Sequence, residues 1–138
     1  MIIQSKEYNV AASSTVVFEK LSNLENLKPL AEHIQDDKIA IEIIDSTHCR
    51  VTADGGLSAL FEITESIPNE RITLISSGQG LPISGKLTIS LKGLNEETQL
   101  STTLDADVPI FLRGMAKPMM QQAAEKLGET LSKVPYNA

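Results

Sequence analysis

Few side chains in this sequence have both the type and the spacing to do chemistry, and Cys49 beside His48 is the first pair to weigh. A thiolate nucleophile needs a base within hydrogen-bond reach. Consecutive strand residues point to opposite faces, so His48 cannot serve Cys49 directly. With nothing nearby to lower its pKa, Cys49 reads as a buried, inert thiol. His33 lies in the polar stretch Glu32-His33-Ile34-Gln35-Asp36-Asp37, which reads as a solvated loop whose aspartates attract a cation only weakly. One cysteine and two histidines are too thin a set for a typical structural zinc site, so no metal is expected. Gly78-Gln79-Gly80-Leu81-Pro82 has the glycines of a phosphate cradle, but it joins two strand patterns and opens no helix, so it reads as a turn. Arg113, near the start of the last helical pattern, is placed to meet a carboxylate; the plainer reading is a solvated arginine. Met115, Met119 and Met120 cluster there too, as core filler or as an adaptable lining for an apolar ligand.

The elements that must position these groups follow from periodicity. Ile2 to Val10 reads as a strand, and Ala11-Ala12-Ser13-Ser14 offers a helix N-cap. Val17, Leu21, Leu24, Leu27 and Leu30 then recur at helical spacing, interrupted at Asn23 and Pro29, which predicts two short helices. From Lys38 to Val108 the period changes to two, with turns at Gly55-Gly56, Pro68-Asn69-Glu70 and Gly93 to Thr98. That pattern predicts a curved antiparallel sheet in meander order with one wet face. The last helix is expected from near Ile110 to about Val134, with Leu112, Met115, Ala116, Met119, Met120, Ala123, Leu127, Leu131 and Val134 on its apolar side. Pro118 either kinks it or marks its first turn. Such a helix needs an apolar surface to lie on, and the inner face of the sheet is the one available.

Composition bounds the function classes. The chain has 138 residues, enough for one domain, expected over 1–138. With 12 Lys+Arg against 18 Asp+Glu the net charge is -6, and no basic patch stands out, so nucleic acid is not an expected partner. A single cysteine excludes an internal disulfide. The first residues lack a signal-peptide layout, and no apolar run approaches the ~20 residues needed to span a bilayer, so a cytoplasmic protein without stable membrane insertion is expected.

Beyond these patterns, Ala12 to Leu27, Ser66-Ile67-Pro68-Asn69-Glu70-Arg71-Ile72, Gly85-Lys86-Leu87-Thr88-Ile89-Ser90-Leu91 and the segment Thr98 to Leu131 resemble the polyketide cyclase/START-type superfamily (SRPBCC). The resemblance covers nearly the whole chain. It implies an α+β helix-grip fold: a curved antiparallel sheet wrapped around a long C-terminal helix, with two short helices after the first strand. It also implies a hydrophobic ligand held between sheet and helix. The chain departs from many members in having no Trp and only two Tyr.

By alternation the inner face of the sheet carries Ile41, Ile43, Cys49, Val51, Leu57, Ala59, Phe61, Ile63, Leu74, Ser76, Leu87, Ile89, Leu100, Thr102, Leu104 and Ala106. No acid, His or Lys lies among them, and general acid-base catalysis needs such a group. The reading therefore leans away from an enzyme, and no catalytic residue or cofactor is assigned. An apolar lining with a few polar handles suits binding or carriage of a small lipid or polyketide-like molecule. The expected lining is Phe61, Ile63, Leu74, Leu87, Ile89, Thr102, Leu104, Met115, Met119 and Met120, with Arg113 or Ser76 as polar anchor. Two alternatives stand beside it. One is a cyclase or dehydratase whose pocket folds its substrate; the other is an interaction module with a filled core, an accessory to a metalloenzyme as the resemblance to carbon monoxide dehydrogenase accessory proteins implies. A protein partner fits the last, and the oligomeric state is open.

Overall fold

A computed structural model describes residues 1–28, 39–53, 58–77, 85–134 and 136. The expected first strand is two: β1 (Ile2–Gln4) and β2 (Tyr8–Val10), both antiparallel to β8 (Glu97–Ala106). The pairing shifts by one between Gln4↔Thr103 and Tyr8↔Leu100, so one extra residue is accommodated at Ser5 to Glu7. A bulge of this kind bends the strand without abandoning its partner. Here Ser5 closes the gap: its amide donates to the Thr102 carbonyl at 2.8 Å, and its Oγ accepts from the Thr102 amide at 2.9 Å.

Helix α1 (Ser14–Leu21) starts where expected, with the Ser13 Oγ accepting from the Val16 amide. It buries Val17 and Leu21. Asn23 ends the run by accepting from the Glu25 amide at 3.1 Å, and a 3-10 turn, Leu24–Leu27, follows. Pro29, Leu30, His33, Asp36 and Asp37 lie outside the described residues, as do Gly55, Gly56, Leu57 and the Gly78-to-Pro82 segment, so the loop and turns expected there are not described.

The meander is β3 (Ile39–Ile43), β4 (His48–Ala53), β5 (Ser58–Ile67), β6 (Arg71–Ser77), β7 (Gly85–Leu94) and β8. The eight strands form one antiparallel sheet in the order β1-β8-β7-β6-β5-β4-β3, with β2 also on β8. Two tight connections use asparagine in the left-handed region, Asn69 at φ 63 and Asn95 at φ 58. Asparagine tolerates that conformation better than other side chains bearing a Cβ. A second bulge at Thr64, between Ile63↔Leu74 and Glu65↔Thr73, bends β5.

After a 3-10 turn, Ile110–Leu112, helix α2 runs from Arg113 to Ser132. Pro118 lies inside it rather than in its first turn, and deprives the Gly114 carbonyl of its helical donor. The helix lies against β8, β1 and β2. The contact is made by small residues: Ala124 and Gly128 are buried, and the Thr102 Oγ1 donates to the Ala124 carbonyl at 2.7 Å. Around this joint the Gln121 Nε2 donates to the Gln4 carbonyl, and the Glu125 Oε1 accepts from the Lys6 amide at 2.7 Å. Below it Leu127, Leu131, Val134 and Tyr136 join α1 in the main core, over Ile72, Ile89, Leu91 and Leu100.

A Cβ at position 128 would sit 2.7 Å from the Tyr8 ring, whereas one at 114 would meet nothing within 4 Å. Gly114→Ala should therefore gain up to ~1 kcal/mol from helix propensity. Gly128→Ala should lose about 1–3 kcal/mol by overpacking, against its own propensity gain. Denaturant midpoints of the two variants check this; equal stabilisation by both would show that the helix does not bear on Tyr8.

Candidate functional site

Directly opposed residues of neighbouring strands share a face. The pairing Ile63↔Leu74↔Leu87↔Leu104↔Ile3 thus lays one apolar row across five strands. A second row runs Ile43↔Cys49↔Phe61↔Ser76. Nearer the core, Ile72↔Ile89↔Thr102 and Leu91↔Leu100 complete the inner face.

The rows are not equally covered. Ile72, Leu100 and Thr102 are fully buried under α1 and the second half of α2. Leu74, Leu87 and Ile89 are buried, but Phe61, Ile63, Leu104 and Ile41 are only partly so. Leu104 lies on β8 just past Thr102, where the small-residue contact of Ala124 and Gly128 has ended, and the pairing puts Ile63 in its row. Apolar surface therefore stays accessible on the inner face.

The polar groups expected to orient a ligand are engaged within the protein. The Ser76 Oγ accepts from the Gly85 amide at 2.7 Å and donates to the Gly85 carbonyl at 3.0 Å. The Thr102 hydroxyl is held by Ala124, as described. The Arg113 Nε donates to the Val108 carbonyl at 3.2 Å, and its side chain is exposed. Among the described residues no buried side-chain nitrogen or oxygen lacks a partner. Fit to a ligand at this face would rest on shape and apolar contact.

The methionines divide. Met120 is half-buried, but Met115 and Met119 are exposed. At about 100° per residue they stand roughly 180° and 140° around the helix from Ala124, away from the sheet. The helix sits rotated from the orientation expected on hydrophobicity, because its contact face is chosen by residue size.

Elsewhere the chemistry-bearing groups are structural. Cys49 is buried opposite Phe61, and burial pushes its thiol up to about 11, a poor nucleophile. His48 points to the other face, its Nδ1 2.8 Å from the Asp45 Oδ1 and its Nε2 3.7 Å from the Glu62 Oε2. Asp45 also accepts from the amides of Thr47 and His48 in the β3–β4 turn. The Thr47 amide, then the His48 ring, hold its carboxyl down at about 2. This is turn chemistry. Among the described residues no group of three or more His, Cys, Asp or Glu is placed to hold a metal.

No protein-family model and no curated protein matches this chain. Solved structures do match it. Norcoclaurine synthase from Thalictrum flavum, in complex with dopamine and hydroxybenzaldehyde, superposes with a TM-score of 0.70 at 15% identity, over 96% of this chain and 84% of its own. A protein from Thermus thermophilus gives 0.68 at 22% identity, over 96% and 95%. A START superfamily protein from Mycobacterium smegmatis gives 0.63 at 15%, over 94% and 96%.

The uneven burial makes a prediction. Leu100→Ala, in the sealed part, should cost ~2–5 kcal/mol, and Phe61→Ala and Leu104→Ala clearly less than that range. Urea midpoints test this, and losses as large at Phe61 and Leu104 as at Leu100 would show a solid interior. Eight antiparallel strands gripping a long C-terminal helix, superposing on these structures over nearly the whole chain, give this protein the helix-grip fold of START superfamily proteins and norcoclaurine synthase.

Proposed function

We propose that this chain binds a small hydrophobic molecule, of lipid or polyketide-like character, between the inner face of the sheet and the first half of α2. Phe61, Ile63 and Leu104 border the ligand; Leu74, Leu87 and Ile89 form its floor, with Met120 above. The observation that carries this reading is the contrast along one face: the rows at Ile72 and Leu100 are sealed, while Phe61, Ile63 and Leu104 keep accessible apolar surface. Apolar surface on the inside of a sheet, beneath a long helix, is what a lipophilic guest would cover.

Carriage fits better than catalysis. Ser76, Thr98 and Thr102 carry the buried hydroxyls on this face, and all three are spent on backbone partners. Cys49 is held protonated by burial. General acid-base work needs a titratable group free to meet substrate, and the described inner face of the sheet offers none besides the buried Cys49 thiol. The likeness to norcoclaurine synthase, solved with two small aromatic compounds, supports a guest of that size and no more. The protein would act in the cytoplasm, as one domain.

Native mass spectrometry of the purified protein, followed by organic extraction, tests the reading. A discrete one-to-one apolar adduct is expected. Leu104→Trp, which fills the accessible end, should lower its occupancy at least fivefold while the fold persists by circular dichroism. A clean unliganded mass, with no thermal shift across a panel of lipids and polyketide-like aromatics, would overturn it.

A further inference from the structure

The stripe of α2 that faces the sheet changes character along its length. At about 100° per residue, Arg113 and Lys117 each stand within roughly 20° of Ala124 around the helix axis. On this side Gly128 and Ala124 are buried, Gln121 and Met120 are half-buried, and Lys117 and Arg113 are exposed. Two contacts set the direction of the helix over the sheet. Ala124 accepts from Thr102, and Gln121 donates to Gln4, the partner of Thr103, so stepping back along α2 advances along β8. A helix rises about 1.5 Å and a strand ~3.4 Å per residue. Lys117 therefore comes level with β8 about three residues past Thr102, at the Leu104 end, and Arg113 stands beyond the end of the strand. Two cations thus face the mouth of the accessible apolar surface.

Neither cation is spent. The Arg113 Nε donates to the Val108 carbonyl, which steadies the guanidinium and leaves its two terminal amino groups without a partner among the described residues. Lys117 has no hydrogen bond or ion pair among them. This end of the molecule is not basic as a whole, because Asp105, Asp107 and Glu125 outnumber the two cations. The acids and the cations occupy different sides. Asp105 stands opposite Lys86 and Ile2 on the outer face of the sheet. Glu125 is ~100° around the helix from Ala124, where its Oε1 accepts from the Lys6 amide at 2.7 Å. Asp107 is exposed beyond the end of β8, and none of the three forms an ion pair with Arg113 or Lys117.

We propose that the molecule bound at the inner face is an amphipathic anion, an apolar tail ending in a carboxylate, whose head is held at this mouth by Lys117 and Arg113. This rests on the binding reading above and adds the class of ligand. The tail would lie along the row Leu104, Leu87, Leu74 and Ile63, which spans ~14 Å across four strands. A carboxylate suits the head position, since a guanidinium offers it parallel N–H donors and the ammonium one turn away adds a second charge. Like charges one turn apart on a helix repel, and a shared anion relieves that repulsion. The head stays at the rim, so the bonds of Ser76 and Thr102 to the backbone are kept.

Calorimetric titration of the full chain with dodecanoate and with dodecanol, which share one tail, tests this at neutral pH, where the carboxyl is ionised. Dodecanoate should bind roughly 5- to 10-fold more tightly than dodecanol at low salt, the contribution of two partly solvated charge contacts. Lys117→Gln and Arg113→Gln should each remove part of that preference and the double variant all of it, with the affinity for dodecanol unchanged. Lys117→Arg should keep it. Lys92→Gln, which removes an exposed cation from the outer face, should change neither affinity. Equal binding of the two compounds, or a preference that survives the double variant, would overturn this inference and leave the binding reading intact. Binding of neither compound would overturn it as well, and the adduct sought by native mass spectrometry then decides the binding reading separately.

Discussion

Thr102 is the joint on which the rest of this structure depends. It is fully buried on β8, and its three polar groups tie down two separate parts of the chain. Its amide and carbonyl exchange hydrogen bonds with Ser5, closing the bulge between β1 and β2. Its hydroxyl holds the Ala124 carbonyl and so fixes α2 along its length. A buried hydroxyl without a partner costs about 1–3 kcal/mol, so the joint specifies one position for the helix as well as stabilising it. Gly128, one turn on, lets the helix approach Tyr8. With these contacts made, the second half of α2 is drawn into the core, and the first half stands at the end of the sheet where apolar surface stays accessible.

The proposed binding face and the exposure of Met115 and Met119 both follow from that division of one helix. Toward the sheet, its first half leaves Phe61, Ile63 and Leu104 without the close cover that Leu100 receives. Away from the sheet it presents Met115 and Met119.

Much of the fold is legible in the residues. Strict alternation through Leu87, Ile89 and Leu91, and through Leu100, Thr102 and Leu104, sets the inner face, because a register slip would expose every one of them. Asn23 marks the break after α1 for a local reason, its side chain capping the next turn. Three features need long-range knowledge. The split of the first strand depends on Ser5 meeting Thr102, 97 residues away. The rotation of α2 depends on Ala124 and Gly128, which hydrophobic periodicity underweights because close approach rewards small size over apolarity. That is why spacing alone turns Met115 and Met119 inward. Alternation places Ser76 and Thr102 on the inner face, but it cannot say that a hydroxyl already has a backbone partner.

The central claim is that the inner face remains open at its Phe61, Ile63 and Leu104 end while the Leu100 end is sealed. Methyl-resolved NMR of the full chain, titrated with 8-anilinonaphthalene-1-sulfonate as an apolar probe, tests it most directly. The account predicts saturable one-to-one shifts at Ile63, Leu87 and Leu104, with Leu21 and Leu100 unmoved. Shifts confined to the surface methyls of Ile110, Met115 and Met119, or no shifts at all, would contradict it.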